Sequence, residues 1–116
     1  MDFSMDLEES GTVAVLVTHG YMDQAAGKRL LGRIEELIRQ GRRRFLLDFA
    51  DTPIVNSSGL GEIVEVVSLT LNDETLKIAI CGLSSTCDFS FRTVGIQHYA
   101  SLFPGRPEAL AGLEAS

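Results

Sequence analysis

The run Phe45-Leu46-Leu47-Asp48-Phe49 is almost continuously apolar, and it leads past Pro53 to the pair Ser57-Ser58, which opens an amphipathic stretch. A strand that lacks polar alternation is covered on both faces, so it belongs in a sheet flanked by helices. Pro53 breaks the chain before the serines. Beyond them Leu60, Ile63, Val64, Val67 and Leu71 follow the i, i+3, i+4, i+7 rule of a helix, with Glu62 and Glu65 expected to face outward. This strand-turn-helix unit places hydroxyls at a helix mouth. Ser57 or Ser58 would cap the first turn by accepting backbone N–H bonds. A phosphate placed there would meet the same donors and the positive end of the helix dipole.

The rest of the chain repeats the alternation. A short strand is expected around Phe3 to Leu7. A clearer one runs from Thr12 to Thr18, where Val13, Val15 and Val17 alternate with Ala14 and Leu16. Gly20 marks a turn, and from Asp23 the positions Ala26, Leu30, Ile34, Leu37 and Ile38 recur at helical spacing until Gly41. Asn72-Asp73 ends the helix that starts at the serines. Lys77 to Cys81 reads as a strand, Ser84 to Val94 as a helix and Tyr99 to Phe103 as a last strand. Pro107 suits the first turn of a short terminal helix. Strands and helices in alternation predict parallel crossovers, with the first two strands as an antiparallel hairpin at the edge.

Size and charge narrow the function classes. The 116 residues, 45% hydrophobic and 22% charged, match one compact domain over 1–116. A formal net charge of −6 disfavours a nucleic acid as partner, since that affinity comes from clustered Lys and Arg. The one basic run, Arg42-Arg43-Arg44, follows a helix end, where cations complement the dipole and stay solvated. No apolar run approaches the roughly 20 residues of a membrane span, and the acidic opening Met1-Asp2-Phe3-Ser4-Met5-Asp6 is unlike a secretion signal. A cytoplasmic protein is expected. Cys81 and Cys87 are too few for a disulfide framework or a four-ligand zinc site and read as structural thiols.

Catalytic signatures fail on inspection. The glycine that a nucleophile elbow needs two residues before its serine is Val55 or Asn56, and only His19 and His98 could act as base. Gly59-Leu60-Gly61 begins like a dinucleotide fingerprint, but its third position is Val64. Gly20 to Gly27-Lys28 has the wrong spacing for a phosphate loop, and Arg29 stands where Ser or Thr is required. Asp48 and Asp51, or Glu35 and Glu36, carry no mark of a metal or acid-base pair.

Asn56-Ser57-Ser58-Gly59-Leu60-Gly61 resembles the signature of the sulfate-transporter and anti-sigma-antagonist (STAS) domain family. Bacterial members of that family carry Asp-Ser-Ser-Gly-Leu-Gly or Asp-Ser-Thr-Gly-Leu-Gly after a strand. Gly20-Tyr21-Met22-Asp23 is similar to the family's Gly-Glu-Leu-Asp. Cys87 to Ile96 is similar, more loosely, to its late helix and glycine turn. The resemblance implies an α/β fold: a single STAS domain with a mixed four- to five-stranded sheet and helices mainly on one side. It implies that Ser57 is a phosphate acceptor, with Asn56, Ser58, Gly59 and Asp23 as its neighbours. Asn56 replaces the family's usual aspartate, keeping shape and much of the hydrogen bonding but losing a charge that would orient or polarise the hydroxyl.

By resemblance to bacterial anti-sigma factor antagonists, the unphosphorylated protein would capture an anti-sigma factor that is also a serine kinase of the histidine-kinase-like ATPase type. Phosphate transfer to the serine would end the capture, and a serine phosphatase would reset the switch. No metal or cofactor is needed, no enzymatic activity is expected, and neither nucleic acid nor membrane insertion is involved. The expected docking face comprises the Gly20-Tyr21-Met22-Asp23 turn, the helix start Asn56-Ser57-Ser58 with Leu60 and Gly61, and Glu62 and Glu65 on the helix's outer side. Asp23, Asp48, Asp51 and Glu62 are expected to crowd the same corner, so a phosphate would add repulsion to bulk. Gly59 and Gly61 would either let a kinase bring its nucleotide close or allow tight helix-to-sheet packing. A rival from another class is a phosphorylation-independent scaffold or partner subunit in a signalling or lipid-transport assembly, with serine used only as a cap.

Overall fold

The computed structural model describes residues 2–115. Met1 and Ser116, the ends of the expected 1–116 domain, lie outside the described residues. Five strands form one sheet in the order of the chain: β1 (Ser4–Ser10), β2 (Val13–His19), β3 (Arg44–Asp51), β4 (Lys77–Cys81) and β5 (Ser101–Phe103). β1 and β2 are an antiparallel hairpin, while β2, β3, β4 and β5 run parallel. The parallel strands are joined by α1 (Gln24–Arg39), α2 (Ser57–Ser68) and α3 (Ser85–Thr93), and α4 (Arg106–Glu114) closes the chain. This agrees with the expected fold class.

The strand order explains why the helices segregate. Parallel crossovers are right-handed, and three that all step the same way across the sheet must lie on the same side of it. Beneath them sit Ala14, Leu16, Phe45, Leu47, Ile78 and Ile80, with Phe49 and Phe91 in edge-to-face contact at 5.7 Å between ring centres. The alternate residues Val13, Val15, Leu46, Ala79 and Cys81 point the other way and are covered by Ala109 and Leu113 of α4. The unbroken apolarity of β3 thus has its cause in helices on both faces. Cys81 and Cys87 are buried and unpaired, and burial pushes the Cys81 thiol up to about 12.

Local chemistry sets the helix ends. Asp23, Asn56 and Ser84 cap α1, α2 and α3 through bonds from the N–H groups of Ala26, Gly59 and Cys87. Pro107 lies in the first turn of α4, as expected. After α1, the N–H groups of Gly41 and Arg42 donate to the carbonyls of Ile38 and Leu37 at 2.9 and 3.0 Å, a Schellman-type closure.

Two expectations need correction. The last strand begins at Ser101 and not at Tyr99, because Ile96–His98 form a 3-10 turn. The arginine run is not simply solvated: Arg42 forms a two-pronged pair with Glu9, Arg43 pairs with Asp73 and donates to the Ile38 carbonyl, and Arg44 donates to Thr12.

Candidate functional site

The site is built where β2 and β3 end. Being parallel neighbours, they release their loops at the same edge of the sheet, and the two loops stay paired beyond it. Gly20 donates to the Asp51 carbonyl at 2.9 Å. Met22 donates to Ile54 at 3.0 Å, and Asn56 returns a bond to the Met22 carbonyl at 3.0 Å. This extra bridge between Met22 and Val55 brings Asp23 and Asn56, the caps of α1 and α2, out side by side.

The two helices then meet closely. A Cβ on Gly59 would lie 2.6 Å from the Met22 carbonyl oxygen, and one on Gly27 would lie 2.5 Å from the Glu62 Cβ and 3.3 Å from the Gly59 carbonyl oxygen. Gly59 therefore serves packing, against α1 and its leading turn. A Cβ on Gly61 would meet nothing within 4 Å, so of the pair only Gly61 leaves open space at the surface. Gly27 had no recognised role in the sequence, because its partner lies on another helix.

The cap is Asn56, not a serine. Its backbone is extended at φ −77° and ψ 175°, and its side-chain oxygen accepts the Gly59 N–H at 2.8 Å. Ser57 and Ser58 are the first two residues of α2 and both are exposed. Their hydroxyls are relieved of capping, while helix geometry leaves their own N–H groups without intrahelical acceptors at the mouth. That combination suits an oxyanion attached at this end of the helix.

The expected docking face divides. Tyr21, Asp23, Ser57, Ser58, Gly61 and Glu65 are exposed, and Asn56 and Leu60 are half-buried. Met22 is 0% exposed: its side chain joins the core and only its backbone serves the loop. Gly20 is buried too, its φ of +90° forming the turn where a Cβ would strike the Asp2 carbonyl oxygen at 2.5 Å. Glu62 does not face outward. It lies between α2 and α1 at 9% exposure, its carboxylate 3.6 Å from the Lys28 ammonium. Ile54, 54% exposed beside Tyr21's loop, is an apolar surface residue without a sequence signature, since a lone isoleucine between proline and valine carries no periodic signal.

The acidic corner is smaller than expected. Asp48 accepts two bonds from Arg106, at 3.0 and 2.9 Å, and Asp51 contacts the His19 ring at 2.6 Å. Asp23 remains exposed as the α1 cap. His19 lies within reach of two carboxylates, and they raise its pKa above the ordinary value, Asp51 contributing more than Asp6. It makes no triad with the serines. Among the described residues no group of three or more His, Cys, Asp or Glu is arranged to hold a metal ion, and no helix is long and apolar enough to cross a membrane.

The family model described as the STAS domain matches residues 4–109. The chain belongs to the STAS domain family. Solved STAS-like structures superpose over nearly its full length. An anti-sigma factor antagonist from Mycobacterium paratuberculosis, 17% identical, aligns with a TM-score of 0.82 over 97% of this chain and 95% of its own. The Bacillus cell fate determinant SpoIIAA in its phosphorylated form, 20% identical, gives 0.70 over 93% and 97%. A sulfate transporter family protein from Wolinella succinogenes, 16% identical, gives 0.77 over 93% and 89%. At these identities the likeness is one of fold. A search of curated protein sequences gives no significant match. Within this STAS domain, the stretch that resembles the family signature is the mouth of α2.

Proposed function

We propose that this STAS domain is an anti-sigma factor antagonist that works by reversible capture. With Ser57 unmodified, it binds an anti-sigma factor of the histidine-kinase-like ATPase type through the Gly20–Asp23 turn, the start of α2 and the exposed side of that helix. The bound kinase transfers phosphate to Ser57 and capture ends; a serine phosphatase restores the hydroxyl. ATP belongs to the kinase, and the domain itself contributes neither metal nor cofactor. It acts in the cytoplasm, without nucleic acid or membrane insertion.

One observation carries the reading: Ser57 is exposed on the first turn of α2 while Asn56 does the capping. A modified Ser57 therefore costs the helix no cap. The phosphate adds about −1.5 to −2 charges and three acceptor oxygens, which the N–H groups of the first turn and the helix dipole favour. The fold survives and the surface changes. A partner that packs on Tyr21, Ile54 and the neutral hydroxyl then meets bulk and charge beside the exposed Asp23.

The test uses the candidate anti-sigma kinase and ATP. The expected result is phosphate on the wild type, none on Ser57→Ala, and loss of capture by Ser57→Asp. The neutral amide of Asn56, where the family carries a carboxylate, supports the second reading, a phosphorylation-independent scaffold or partner subunit in a signalling or lipid-transport assembly. Intact capture by both variants would favour it.

A further inference from the structure

At the same end of the sheet, on the face opposite α1, α2 and α3, one side chain joins three strands. His19, the last residue of β2, has Nδ1 2.6 Å from Oδ2 of Asp51 on β3 and Nε2 3.0 Å from Oδ2 of Asp6 on β1. A neutral imidazole has one N–H and one lone pair. In that state one of its nitrogens would turn a lone pair toward a carboxylate oxygen. Only the imidazolium donates to both, so the arrangement is that of the charged ring.

The ring's position links it to the site. Asp51, which it holds through the carboxylate, accepts the Gly20 N–H through its carbonyl. Gly20 starts the turn that carries Met22 to its bridge with Val55 and Asp23 to its cap on α1. We propose that His19, held as an imidazolium between Asp6 and Asp51, is the positioning residue that fixes the Gly20–Asp23 turn beside the Ser57 hydroxyl. It rests on the functional reading above only in treating that turn as part of the docking surface.

The other charged groups nearby are already engaged or lie on another side. Glu8, on the same face of β1 as Asp6, and Asp48 of β3 are both held by Arg106 of α4. On the helix side, Arg29 of α1 donates to the Phe3 carbonyl at 3.3 Å and covers the Phe3 ring. Asp2 approaches Gly20 with its backbone carbonyl. The proton that matters is therefore the one on the ring. Asp51 first, then Asp6, raises the ring's pKa above its ordinary 6.5. The clamp therefore contributes fully below 6.5 and is lost as pH rises through the higher value of the folded protein.

The free protein tests this by NMR. The His19 ring is titrated while exchange of the Gly20 and Met22 amides is compared with that of Leu47 in β3. Normalised to Leu47, protection of Gly20 should fall roughly threefold as the ring loses its proton, the size expected for exposed charge pairs. His19→Gln should show the lower protection at every pH with no step. His19→Arg, a permanent cation, should keep its protection above the ring's titration. A Gly20 amide that crosses the His19 titration without a step, or wild-type protection in His19→Gln, would overturn the proposal. Capture of an anti-sigma kinase that stays constant while Gly20 loses protection would instead overturn the docking surface, leaving the role of His19 intact.

Discussion

The mouths of α1 and α2 stand side by side and are built alike, yet only one of them carries spare chemistry. Each follows a strand of the parallel pair, is held in place by the Met22–Val55 bridge, and has an Asx side chain accepting the third residue's N–H, at 2.9 Å from Asp23 and 2.8 Å from Asn56. The first turn of α1 continues with Gln24 and Ala25, that of α2 with Ser57 and Ser58. Since Asp23 and Asn56 already cap the two helices, the hydroxyls of α2 answer no capping need. The caps also differ in charge: α1 has a carboxylate, α2 a neutral amide.

The comparison breaks most severely at the contact between the two helices. Gly59→Val inserts atoms where even a Cβ would be 2.6 Å from the Met22 carbonyl oxygen, and should destabilise by about 2–3 kcal/mol, typical of overpacking. Gly61→Ala, two residues on and in open space, should be neutral or stabilise by up to about 1 kcal/mol. Urea unfolding of both variants checks the pair; equal effects would contradict the packing account.

Removing a cap comes next. Asn56→Ala should cost about 1 kcal/mol, as should Asp23→Ala at the neighbouring mouth. Asn56→Asp sharpens the contrast: a carboxylate at the N-terminus should stabilise α2 by about 0.3–1 kcal/mol in low salt at neutral pH. That gain should fade as acid protonates it. The smallest effect belongs to Ser57→Ala, expected within about 0.5 kcal/mol of wild type. A loss as large as that of Asn56→Ala would mean that the serine, not the asparagine, caps the helix.

Much of this was legible in the sequence. The apolar run of β3, the alternation in β2 and the helical spacing of α1 and α2 carry the layer order, and the serine motif marks the candidate site. Asn56, Ser57 and Ser58 are all competent caps, and only the extended backbone at Asn56 decides among them. The apolar stripe of α2 that faces the sheet leaves Glu62 outside it, so the pattern alone points that carboxylate outward. α2 also has a lateral neighbour, and Gly27 on α1 opens the space that Glu62 fills. Met22 sits in a turn, where exposure is the usual expectation, but continued pairing of the loops buries it. The His19 clamp joins residues from three strands, a juxtaposition that no local pattern encodes.

In the proposed function the Ser57 hydroxyl is an erasable mark for complex formation. That role is tested most directly by mapping phosphate by mass spectrometry after incubation with the anti-sigma kinase and ATP, alongside capture by wild type and Ser57→Asp. Phosphate on Ser57 and lost capture by Ser57→Asp, at an unfolding midpoint no lower than that of wild type, are the expected results. An unlabelled Ser57 together with full capture by Ser57→Asp would contradict it.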